Sequence, residues 1–90
     1  MTSGEEIKSW LESGIADGSK YVLIYCDEFD YSDYPVYAEN DDEFWRQYDN
    51  PLHQSANMQR LMEVYDLSMD IEKQLDEYRA MHMPERVPVA

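Results

Sequence analysis

The run Tyr21-Val-Leu-Ile-Tyr-Cys26 constrains this chain more than any other stretch. Its residues are β-branched, aromatic or aliphatic without a polar interruption, a composition that suits a central strand. Gly18-Ser19 stands before the run and Asp27-Glu28 after it, so both ends are marked. A shorter second strand is expected at Pro35-Val-Tyr-Ala38, with Pro35 at its start or on an edge because it cannot donate to a ladder. The residues between, Asp27 to Tyr34, read as a long hairpin connection or a bulged extension of both strands. Asp30, Ser32 and Asp33 suit the turn, since their side chains can bond nearby amides.

Around this hairpin the periodicity changes to that of helices. Ser3 and Glu6 have capping-box spacing, and Ile7, Trp10, Leu11 and Ile15 recur at three- and four-residue steps, which predicts a helix over Ser3 to Asp17. Gly14 weakens its last turn and Gly18-Ser19 ends it. Asn40-Asp-Asp-Glu43 supplies a cap and three carboxylates where the helix dipole favours them, followed by Phe44, Trp45 and Tyr48 on one face. Asp49-Asn50-Pro51 stops this second helix, and a connection runs to about Asn57.

Met58 to Leu67 fits two patterns. As a helix, Met58, Leu61, Met62 and Tyr65 share a face. As a strand, Met62 and Val64 point one way while Leu61, Tyr65 and Leu67 point the other. Glu63-Val64-Tyr65 tips the balance to the strand, and a third strand would make the hairpin independently viable. A last helix follows from a Ser68 cap, with Asp70 and Glu72 in its first turns and Ile71, Leu75, Tyr78 and His82 as the inward stripe, ending at Pro84. The expected architecture is a single α+β domain over residues 1–84. It has a small antiparallel sheet of about three strands, element order α-β-β-α-β-α, and helices packed on one face. Residues 85–90 read as a flexible C-terminal tail.

Ninety residues hold one domain at most. Twenty acidic against seven basic residues give a net charge of −13, which disfavours direct contact with nucleic acid or an anionic membrane. The same balance favours basic partners, although charge can also serve solubility alone. The N-terminus lacks a basic region followed by an apolar run, so no signal peptide is expected, and no apolar stretch reaches transmembrane length. The lone Cys26 excludes an internal disulfide and suits a reducing compartment.

Catalysis finds little support in these residues. Only His53 and His82 could act as bases near neutral pH, one beside Pro51 in a loop and one closing a helix, and each reads as an ordinary side chain. Carboxylates around Cys26 would raise its thiol pKa. Asp27, Asp30 and Asp33 could approach a cation, but alternate-position ligands, the central Gly and the closing Glu of a calcium loop are missing. One Cys and two separated His give no zinc spacing. The chain is therefore expected to be no enzyme, with no metal and no cofactor.

The acidic and aromatic residues carry the stronger signal. Between Asp27 and Asp49 nine carboxylates face Arg46 alone, and Tyr and Phe are interleaved among them. Side chains at about 5–7 Å on strands and helices present negative charge at roughly the density of a nucleic-acid backbone. The candidate partner-binding residues are Asp27, Glu28, Asp30, Asp33, Asp41, Asp42 and Glu43, which would meet Lys and Arg, with Tyr31 and Tyr34 supplying packing. Tyr25, Phe29, Tyr37, Phe44 and Trp45 are more simply placed in the core, with the acids as their solvated flanks.

Two segments, Cys26-Asp-Glu-Phe-Asp-Tyr-Ser-Asp-Tyr-Pro-Val-Tyr37 and Met62-Glu-Val-Tyr-Asp-Leu-Ser-Met-Asp-Ile71 running into Gln74-Leu75, resemble small acidic proteins encoded by bacteriophages and prophages. The similarity spans most of residues 7–82. It implies a phage accessory protein in a bacterial cytoplasm, and no activity, ligand or catalytic residue carries over with it. By class analogy, such a protein counters host defence as anti-CRISPR and restriction-inhibitor proteins do, by occupying a basic groove of a host nuclease or CRISPR effector. The alternatives are a sequestering protein for a small nucleotide signal, bound in an aromatic pocket, and a structural or assembly factor. Homo-oligomerisation is compatible with each.

Overall fold

A computed structural model describes residues 3–86. The elements follow the order α1 (Gly4–Ala16), β1 (Tyr21–Asp27), β2 (Ser32–Ala38), α2 (Asp41–Tyr48), two 3-10 turns (Pro51–His53 and Ser55–Asn57), β3 (Gln59–Asp66) and α3 (Ile71–Leu75). The strands form one antiparallel sheet in the order β2-β1-β3, so the fold is α+β with the expected succession α-β-β-α-β-α. β1 is central, and Tyr21 through Cys26 are all buried.

That unbroken burial needs cover on both faces of β1. Tyr21, Leu23 and Tyr25 point into one cluster with Ala38, Phe44 and Val64. Val22 and Ile24 point into the other with Leu11, Tyr65 and Ala80. The helices are divided accordingly. Ile7, Trp10 and Leu11 of α1 and Ile71 and Leu75 of α3 cover the second face, while Phe44, Trp45 and Tyr48 of α2 cover the first. The expectation of helices on one face thus holds for α1 and α3 only. A strand that is apolar at every position requires a second layer, and α2 provides it with a T-shaped contact between Phe44 and Tyr21 at 5.3 Å.

Local sequence accounts for most element boundaries. The Ser3 hydroxyl accepts from the Glu6 amide at 3.2 Å, and Asn40 Oδ1 accepts from the Glu43 amide at 2.8 Å. The inward face of α1 is rotated from the expected stripe: Gly14 is buried and Ile15 is exposed. A methyl group on Gly14 would lie 2.8 Å from Leu67 Cδ1 and 3.1 Å from the Tyr37 ring, so glycine lets the helix approach the sheet there. Pro35 lies in mid-strand opposite Ile24, on the edge strand β2, where alternate amides face away from the neighbour.

β3 is a strand, and it carries a bulge. Ile24 pairs with Glu63 but Tyr25 pairs with Leu61, leaving Met62 without a partner. One extra residue reverses the side-chain alternation. Val64 and Leu61 therefore share the α2 face while Met62, Tyr65 and Leu67 share the α1 face, rather than Met62 siding with Val64. Arg79 braces the bulge, donating through Nε to the Met62 carbonyl at 2.8 Å and through Nη2 to the Leu61 carbonyl at 3.1 Å.

The C-terminal third departs furthest from its periodicity. α3 is capped by Asp70, which accepts from the Lys73 amide, and it stops at Leu75. Ser68 instead donates to Asp66 Oδ1 in the preceding turn. Tyr78 is fully exposed, and His82 is half-buried on an extended segment beside Glu77. The helix yields because the chain turns back to the open edge of β3. There the Val64 amide donates to the Ala80 carbonyl at 2.9 Å, and the His82 amide to the Val64 carbonyl at 3.0 Å. Met83 then packs into the α2-side cluster, and Arg86 reaches α2 itself. The remainder of the expected tail, 87–90, lies outside the described residues.

Candidate functional site

The acidic residues singled out in the sequence fall into two groups at opposite ends of β2. Asp27, Glu28, Asp30 and Asp33 cluster at the hairpin tip, and Asp41, Asp42 and Glu43 open α2. β2 is seven residues long, about 20 Å at the usual rise, and Asp33 lies at its tip end while Asp41 follows its other end. Each group is a surface of its own.

The tip is a four-residue connection between Asp27 and Ser32, tied by short bonds from its own side chains. Asp27 Oδ1 accepts from the Phe29 amide at 2.9 Å, and Asp30 Oδ1 accepts from the Ser32 amide and hydroxyl at 3.0 and 2.7 Å. Those two Ser32 donors, hydroxyl first, hold the Asp30 carboxyl below its ordinary pKa. Tyr31 takes the left-handed conformation, and its amide donates to the Asp27 carbonyl at 2.6 Å. The Glu28 amide donates to the carbonyl of Met58, whose side chain is also exposed, which fastens the tip to the loop before β3.

Folding the tip this way leaves two rings in solvent. Phe29 is 80% and Tyr31 77% exposed. Phe29, placed in the core from sequence, is the functional candidate that sequence reasoning missed. The signal available was its position: it lies between Asp27 and Asp30 inside a turn, where no strand face can bury it. Tyr34 is committed elsewhere. Its ring stacks on Tyr25 at 5.9 Å and its hydroxyl donates to Gln59 Oε1 at 2.6 Å. With that proton spent, the 3.3 Å contact to His53 requires Nδ1–H of the imidazole to donate to the Tyr34 oxygen.

The second group is partly neutralised from within. Asp41 Oδ1 accepts from the Tyr21 hydroxyl at 2.7 Å and from Lys20 Nζ at 3.1 Å, and these donors lower its pKa, the tyrosine contributing most. Asp42 is exposed, and Glu43 is half-exposed. Along the outer face of α2 a shallow cavity of about 300 Å³ opens between Asp42, Trp45, Arg46 and Asp49 and the returning Glu85 and Arg86.

Other reactive groups are held inside. Burial, reinforced by Asp33, raises the Cys26 thiol pKa, opposite to what a nucleophile needs. Burial alone lowers the pKa of His53, whose ring stacks on Tyr25 at 4.9 Å. The Tyr25 hydroxyl is pushed up to about 12, chiefly by burial. Among the described residues no three His, Cys, Asp or Glu side chains converge as metal ligands. None of the described helices is long and apolar enough to cross a membrane. No family model, no curated protein and no solved structure matches this chain.

Proposed function

We propose that this protein is a phage anti-defence protein, acting in the bacterial cytoplasm as a non-enzymatic binder of a basic, nucleic-acid-handling host protein such as a nuclease or CRISPR effector. The hairpin tip is its leading contact. One observation carries this: two aromatic rings stand almost fully exposed on a turn whose backbone is fixed by local bonds, with Asp27, Glu28, Asp30 and Asp33 around them. Fixed aromatic anchors rimmed by charge are what a binding hot spot requires, because little conformational freedom is left to lose on association. The carboxylates speed encounter with a basic groove and make the complex sensitive to salt.

Capture from a bacterial lysate at low and at high salt tests this function, with a folded tip variant alongside. A basic nucleic-acid-handling protein should bind at low salt and be lost at high salt. Phe29→Ser with Tyr31→Ser should weaken that capture on the order of 30-fold, the loss of a hot-spot pair. Equal capture by the variant and the native protein removes the tip from the function.

A further inference from the structure

On α2 the chain binds one of its own arginines. The Arg86 guanidinium sits over the Trp45 ring, 4.1 Å from its centroid and 5.9 Å from that of Tyr48. It also meets Asp49 with both forks, Nη2 to Oδ1 at 2.9 Å and Nη1 to Oδ2 at 3.2 Å. A stacked, bidentate arrangement of this kind recognises arginine specifically, since an ammonium can neither stack nor fork.

Arg86 is a loosely held occupant. Its side chain is half exposed, and the last backbone hydrogen bond among the described residues is that of His82, four residues earlier. Cation–π contacts and ion pairs at exposed sites each contribute little, so together they favour the closed form on the order of tenfold. Beneath Arg86 the Trp45 Nε1–H is buried and meets no acceptor among the described residues. Removing Arg86 would open Trp45 and Asp49 to solvent in a cavity where Asp42, Asp49 and Glu85 outnumber the remaining cation, Arg46, on a chain of net charge −13.

We infer that the Trp45–Asp49 cradle is a receptor for an arginine side chain of the basic partner, and that Arg86 fills it as an intramolecular stand-in which the partner displaces. This rests on the reading that the partner is basic, and it names the side chain the partner offers. Trp45 and Tyr48 give the stacking wall, Asp49 gives the fork, and Arg86 sets a threshold that stray cations do not pass.

The test needs no partner. N-acetyl-arginine N-methylamide and its lysine counterpart are titrated into the native protein and into Arg86→Gln. The Trp45 indole N–H is followed by NMR, with amide spectra reporting the fold. In Arg86→Gln the arginine compound should shift the Trp45 signal at a midpoint roughly tenfold lower than in the native protein, and several-fold lower than the lysine compound. Adding Asp49→Asn should abolish that preference. Equal midpoints with and without Arg86, or equal response to both compounds, would overturn the inference. Failure here beside tip-dependent capture removes only the arginine receptor. Success here beside failed capture leaves the receptor standing and removes the anti-defence function.

Discussion

Gln74 is the one buried polar residue of the described core, and replacing it should cost this protein a large part of its stability. Its Nε2 donates to the carbonyls of Asp66 and Asp70 at 2.8 and 3.2 Å, and its Oε1 accepts from the Asp66 amide at 2.8 Å. One side chain thereby closes the turn between β3 and α3. Gln74→Met keeps the length and most of the volume while removing all three bonds. At about 1 kcal/mol net for each, the loss is about 3 kcal/mol. Against a total of roughly 5–10 kcal/mol for a domain this size, that is severe. At roughly 4–8 °C for each kcal/mol, the melting temperature should fall by about 12–24 °C.

Gln74→Glu separates hydrogen bonding from packing. The ionised carboxylate would face the Asp66 and Asp70 carbonyls with nothing to donate, whereas the protonated acid can donate to one of them. The folded-state pKa of the new glutamate is therefore raised above its unfolded value. The folded state binds its proton more tightly, so the variant is least impaired at low pH and loses stability as pH rises through the ordinary glutamate range and beyond. Circular-dichroism melts of parent and variant, paired at each pH from 5 to 8, should show a widening gap. A Gln74→Met melting temperature within about 3 °C of the parent, or a Gln74→Glu gap independent of pH, would refute this account of the turn.

Arg79→Ala removes both guanidinium bonds to the bulge carbonyls and should cost about 1–2 kcal/mol in denaturant melts, with Arg79→Lys restoring only part because an ammonium cannot fork. Gly14→Ala should lower the melting temperature by a few degrees. The helix gains up to about 1 kcal/mol, but the Tyr37 ring cannot withdraw from the new methyl without loosening its hydroxyl bond to the Trp10 carbonyl, and overpacking costs about 1–3 kcal/mol. A rise would show that the contact yields freely. Burial lowers the His53 pKa, so the unfolded chain takes up this proton first and stability drops as pH falls below about 6.5. His53→Gln should flatten that part of the profile between pH 7.5 and 5.5, and an unchanged slope would assign it to another group.

Where the structure follows local chemistry it was legible in the sequence. β1, the hairpin, α1 and α2 are set by apolar runs, caps and turn residues within a few positions of one another. Two features were not. The bulge at Met62 is a tertiary adjustment that changes which residues face which helix, and its brace, Arg79, lies 17 residues further on. The 3.6-residue pattern of Ile71, Leu75, Tyr78 and His82 was overridden by the unpaired edge of β3, whose amide and carbonyl at Val64 drew the chain into extended pairing. The candidate surface was legible as composition but not as geometry. Adjacency in sequence suggested one acidic face, and the length of β2 splits it into two. Trp45 and Asp49 read as a core ring and a helix stop, and nothing local announces that Arg86 returns to join them.

The pairing of residues 80–82 with β3 has a consequence for life at high concentration. A three-stranded sheet has two edges, each a template for another chain. The segment 80–82 occupies one, and Pro35 interrupts the donor row of the other. Copies that meet through the exposed rings of the tip thus find each strand edge guarded at one point, Val64 on β3 and Pro35 on β2. Deleting residues 79–86 would reopen one edge, and the aggregation it invites would start from β3.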